Sequence, residues 1–128
     1  STNATKYNGG APAAKVAFFD VGITGAWSLD VPDDLNEGLF PHAHAAGARI
    51  HTASWGARRS DGAYTINAME VDTFAHEHPD HLILFAAGNY GDSGSRTIIS
   101  PGTAKNLVTV GASAKAFNAE YPRPYNCT

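Results

Sequence analysis

The chain has 128 residues, enough for one domain of ordinary size. Hydrophobic residues make up 43 % and charged residues 16 %, which argues against disorder, and the net charge of −3 comes without a basic stripe, which argues against a nucleic-acid partner. The longest apolar run, residues 82–87, is far short of the ~20 residues of a membrane span, residues 1–10 lack the charged-then-apolar pattern of a secretory leader, and the single cysteine, Cys127, rules out an internal disulfide.

In chain order, strand and helix signals alternate. AKVAFFDVG (residues 14–22) is a continuous apolar run ending in Asp and Gly and predicts a buried parallel strand. A loop holding Trp27 follows. Residues 31–47 predict a helix with Pro32 and two Asp near its start and Gly47 as its stop; Gly38 and Pro41 mark where it breaks. ARIHTASWG (48–56) is the second strand signal and residues 58–63 a polar loop. Residues 64–80 place Ile66, Met69, Val71, Phe74 and Ala75 at helical spacing, with an end before Pro79. HLILFAAGN (81–89) is a third strand, and after a Gly/Ser loop AKNLVTVGAS (104–113) is a fourth. The order predicts an α/β fold: a parallel sheet with helices on both faces, in three layers. Ligands of such sheets bind beyond the carboxyl ends of the strands.

Three of these strands end in small residues: Asp20-Val21-Gly22, Ser54-Trp55-Gly56 and Ala86-Ala87-Gly88-Asn89. Side chains missing from a strand end mean either close packing of another element or space for a ligand. Three such ends in one sheet favour a shared cleft. Trp55 has a second reading as plain core packing, and Asn89 as a residue that tolerates a left-handed turn.

ARIHTASWG, LILFAAGN and SPGTAKNLVTVGAS, in this order, resemble the middle of a subtilisin-like serine protease, a subtilase. YNGGAPAAKVAFFD is similar to the Gly-x-Ala-Pro segment that follows the family's His-bearing helix. The resemblance runs from about Asn8 to Ser113. It implies that Asn89 is the side-chain donor of the oxyanion hole, and that Ser54, Trp55 and Gly56 pair with the backbone of a peptide or protein substrate as an added strand. It also implies that Ala86, Ala87 and Gly88 form the facing wall of the primary specificity pocket.

The family's triad motifs are not in the chain: there is no His-Gly-Thr and no Gly-Thr-Ser. Asp20-Val21-Gly22 imitates the Asp motif, but only 33 residues separate Asp20 from Ser54 and no His motif lies among them. The expectation is that residues 1–128 form a partial peptidase domain, between the His motif and the nucleophile motif, inactive alone. Two other readings stay open. One is a non-catalytic protease homologue. The other is a small nucleotide- or phosphate-binding module, although DVGITGAW lacks a third Gly in register and opens no convincing helix.

No metal site is expected in HEHPDH (76–81) or HAH (42–44), whose His spacing does not share a helical face; a solvated helix end is the expectation. No cofactor is required, while NYGDSGS (89–95) carries one Asp among small residues, and the resemblance allows structural calcium. The triplets at Asn3 and Asn126 would accept glycans, in line with a secreted or extracellular protein.

Overall fold

The computed structural model describes residues 9–57, 60 and 62–112; the triplets at Asn3 and Asn126, Cys127 and parts of the 58–63 loop lie outside them. The first helical region starts where Asp34 caps it: its Oδ1 accepts from the backbone N–H of Asn36 (2.7 Å) and Glu37 (3.3 Å). Helix α1 (Leu35–Gly38) and helix α2 (Phe40–Ala45) are separated at Leu39, whose φ of −123° and ψ of −68° leave the helical well. The break falls at Gly38 and Pro41, as the sequence predicts. Gly38 lies against Pro32, so close that a Cβ there would sit 2.5 Å from the proline Cβ. Gly47, at φ +92°, ends the region.

Strand β1 (Ile50–Ala53) leads to helix α3 (Ile66–Glu77) and then to strand β2 (Leu82–Ala86). A short 3₁₀ turn (Gly91–Ser93) precedes strand β3 (Val108–Val110). The three strands are parallel in the order β1-β2-β3, with Ala53 opposite Phe85 and Ala86 opposite Val110. This is the predicted α/β architecture in incomplete form.

One core joins the helices to the sheet. Leu35, Leu39, Phe40, Val71, Phe74, Ile83 and Phe85 form a single buried cluster, so α1, α2 and α3 pack on the face of β2 that carries Ile83 and Phe85. The alternate residues Ile50, Leu82, Val108 and Val110 are exposed on the opposite face. Glu70, on α3, is buried and accepts from the backbone N–H of Leu35 (3.3 Å), which satisfies a free donor at the start of α1. Of the apolar positions predicted for α3, Val71 and Phe74 are core, while Ile66 and Met69 are exposed.

The predicted strand at 14–22 does not form. Residues 14–20 are irregular and Val16 and Phe18 are 85 % and 84 % exposed. A continuous apolar run becomes a parallel strand only when a partner edge and cover on both faces are present. Here the segment lies beside β1 across a groove of about 780 Å³ without pairing to it. Its hydrogen bonds are local, with Gly22 bridging Leu29 and the Asp20 carboxylate accepting from the Gly22 N–H (2.8 Å), and Phe19 stacks on His42 of α2.

The helix end at 76–81 is also less solvated than predicted. His76 is exposed, but His78 stacks on Phe74 at 4.0 Å and His81 is buried. The Phe74 ring supplies an aromatic surface that draws both imidazoles inward.

Candidate active site

The parallel register sends residues 54–57 and 87–89 out of adjacent strands at the same, carboxyl, end of the sheet. The loop between β2 and β3 then folds back across both. The Ile99 N–H donates to the Ala87 carbonyl (3.0 Å), and the Ala57 N–H donates to the Ser100 carbonyl (2.8 Å). Ser100 is fully buried. Its N–H donates to Ser60 Oγ (2.8 Å), and its hydroxyl is hydrogen-bonded to Thr65 Oγ1 at the start of α3. Farther along, Asp72 accepts from the N–H groups of Lys105 and Asn106 (2.8 and 2.7 Å), and Thr109 Oγ1 donates to the Gly102 carbonyl (2.6 Å). Polar groups that would be orphaned at the strand ends therefore fix this loop in place.

The small residues at the two strand ends have a specific neighbour. A Cβ on Gly56 would lie 2.7 Å from Ile99 Cδ1 and 2.6 Å from the Ser100 carbonyl oxygen. A Cβ on Gly88 would lie 3.0 Å from Ile99 Cγ1, and Gly88 also has φ +107°, which disfavours any side chain. The Ile99 side chain is thus wedged between Gly56 and Gly88. Part of the room left by the shrinking strand ends is occupied. The wall at Ala86 is backed in the same way, since a Cβ on Gly102 would meet the Ala86 carbonyl oxygen at 3.0 Å.

Asn89 follows directly on Gly88, at the carboxyl end of β2, and is exposed. No described residue hydrogen-bonds its carboxamide. Ser54 is exposed too. Trp55 is half-buried and meets Phe85 edge-on at 5.0 Å, so its ring packs on the core while its backbone stays at the rim. Trp55 and Gly56 lie past the last β1 pair and make no further backbone hydrogen bond among the described residues. A groove of about 480 Å³ is lined by Trp55 and Gly56 together with Leu29, Val31, Asp33 and Ile66. Asp20 is engaged in its local turn with Gly22.

Sequence reasoning missed two parts of this site. One is the 29–33 wall, which in the sequence has only the signals of a loop and a helix start. The other is Ile99, which directly precedes the SPGTAKN stretch that carries the resemblance. The histidines are elsewhere. His81 precedes β2 and His44 precedes β1, at the amino ends of the strands. There His44 Nε2 lies 3.5 Å from the Asp80 carboxylate, and Arg49 Nε donates to that carboxylate at 2.8 Å. Burial, reinforced by the neighbouring charges of His44, Arg49 and His78 and opposed by that of Asp80, holds His81 below the usual histidine range; burial and then His81 do the same to His51. The 89–95 loop offers one carboxylate, Asp92, and no group of three or more His, Cys, Asp or Glu side chains among the described residues is arranged for a metal.

The profile of the Subtilase family, Peptidase_S8, matches residues 1–123. This chain belongs to the subtilase family. Three relatives from Dictyostelium discoideum agree. The subtilase segment is 39 % identical over 111 residues to "Serine protease/ABC transporter B family protein tagD", covering 84 % of this chain and 6 % of that protein. It is 35 % identical over 115 residues to tagB of the same description (88 % and 6 %), and 30 % identical over 112 residues to tagA (85 % and 6 %). The chain therefore spans a small part of the length of the curated relatives it matches. No solved structure matches it.

Proposed function

We propose that this subtilase segment supplies the oxyanion donor and the substrate-binding strand ends of a serine endopeptidase whose Ser, His and Asp lie outside residues 1–128. The reading is carried by one observation: in a subtilase-family chain, the register of β1 against β2 brings residues 54–57 and 87–89 together at the carboxyl end of the sheet. A peptide laid along Ser54, Trp55 and Gly56 finds unpaired backbone there, beside a groove that Trp55 and Gly56 line together with Leu29, Val31, Pro32 and Asp33. Ala86, Ala87 and Gly88 face it from β2.

The chemistry assigned to Asn89 follows from its type. Attack by a serine on the scissile carbonyl turns that oxygen into an anion. A neutral carboxamide N–H stabilises the anion without competing for the nucleophile's proton, and a water-poor, rigid setting raises its worth. The exposed position after Gly88 and the lack of a partner among the described residues support this assignment, because a carboxamide engaged in a cap would not be free to donate. A secreted or extracellular setting belongs to the same proposal.

In the full-length protein, Asn89→Ala is expected to lower kcat by about 10²–10³ with little change in KM, because the donor meets the oxygen chiefly in the transition state. Wild-type kcat in the variant, or a loss confined to KM, would remove the oxyanion role. A full-length protein that binds peptides but turns none over would place it among non-catalytic homologues.

A further inference from the structure

We propose that Ile99 sets the side-chain specificity of this site, restricting the substrate residue that carries the scissile carbonyl to a small side chain such as Ala or Gly. The inference rests on the proposed function above and goes beyond it to the class of substrate. A peptide paired with Ser54, Trp55 and Gly56 whose carbonyl oxygen reaches Asn89 must direct the side chain of that residue between the two strand ends. Ile99 already stands there.

Its Cδ1 and Cγ1 come within 2.7 and 2.9 Å of the Cβ position of Gly56, and its Cγ1, Cγ2 and Cδ1 come within 3.0–3.2 Å of the Cβ position of Gly88. Both glycines are thus in van der Waals contact with one branched side chain. A β-branched residue has few χ1 options with which to swing aside. The backbone that carries it is pinned on both flanks: Ile99 N–H to Ala87, and Ser100 to Ala57, Ser60 and Thr65. Pro101, next in the chain, is fully buried. A bulky substrate side chain would need this loop to move, whereas a methyl group would not. In a close-packed site, excess volume costs more than a missing methylene.

The test uses the full-length protein and two peptide anilides that differ only in the residue at the scissile carbonyl, Ala or Phe. Wild type should hydrolyse the Ala substrate with the higher kcat/KM. Ile99→Gly should raise the Phe/Ala ratio of kcat/KM by about 10–200-fold. Ile99→Val, which keeps the branch and the fold, should shift that ratio in the same direction by a smaller factor. Equal hydrolysis of the two substrates by wild type would overturn the proposal, as would a ratio that neither variant moves. If wild type hydrolyses neither, the corresponding peptide acids are titrated by fluorescence anisotropy. Preferential binding of the Ala-ended peptide then supports the role of Ile99 while overturning the protease reading. Equal binding overturns both.

Discussion

Two apolar regions of this subtilase segment meet opposite fates. At the carboxyl end of the sheet, residues 54–57, 87–89 and 99–103 are cross-tied by backbone bonds between different elements, over a core that includes Phe85 at 1 % exposure. At residues 9–30, the hydrogen bonds among the described residues are between near neighbours, such as Asp30 N–H to the Val21 carbonyl (2.8 Å) and Ala26 N–H to the Ile23 carbonyl (3.0 Å). One longer contact, the stack of Phe19 on His42 at 5.9 Å, links this stretch to α2. The ILFA run (residues 83–86) and the VAFF run (residues 16–19) are both continuously apolar. What separates them is whether a neighbouring element covers the second face, so burial belongs to the pair of surfaces and not to the residue.

The largest contrast to test is therefore between two phenylalanines. In the protein carrying this segment, Phe85→Ala should cost about 3–5 kcal/mol, since it empties the contact with Trp55 and His51. Phe18→Ala should stay within about 0.5 kcal/mol, as expected of an exposed site. Denaturant unfolding monitored by circular dichroism gives both numbers. Comparable losses would mean that residues 14–22 are paired and buried in solution, and the distinction between the regions would collapse.

A second contrast separates two glycines that share a positive φ. Gly25, at φ +79°, has nothing within 4 Å of its Cβ position, whereas Gly88, at φ +107°, has Ile99. Gly25→Ala should cost about 1–2 kcal/mol for the backbone alone. Gly88→Ala should cost about 1–3 kcal/mol more, for the overpacking against Ile99. In the Ile99→Ala background that extra cost should largely vanish, which a double-mutant cycle reads directly. Additive effects would show that the two residues do not touch.

The same two regions mark what the sequence could convey. The break at Leu39, the stop at Gly47 and the three strands from 48 to 110 were legible because each rests on local chemistry: a cap, a proline, a glycine, or an apolar run bounded by turns. Placement of Asn89 at a strand end was legible for the same reason. The 14–22 strand failed because its formation depends on a partner edge and an outer layer that no local pattern records. Ile99 was invisible as a site residue because its meaning arises from a loop that crosses back over two distant glycines. The inward turn of His78 and His81 was missed because it depends on Phe74, which the periodicity assigned only to the core.

Those histidines give the smallest expected effect, and one that distinguishes the regions by pH. His51 and His81 are held below the ordinary range by burial first, and by neighbouring positive charge second. In the unfolded chain they titrate near their ordinary value of about 6.5. Above that pH they are neutral in both states and their full contribution to stability is present. As pH falls below about 6.5, the unfolded chain binds protons that the folded one resists, so stability declines through the lowered folded values. The groups facing the pair, His44, His78, Arg49 and Asp80, sit at the amino ends of β1 and β2 or on the helices beside them, so the effect should be local to that part of the sheet. After correction for intrinsic exchange rates, amide protection in Ile50–Ala53 and Leu82–Ala86 should drop on acidification, while residues 14–22 should exchange freely at every pH. His81→Gln should flatten the pH dependence of the sheet amides. A slope that survives this substitution and His51→Gln together would show that the two buried imidazoles are not its source.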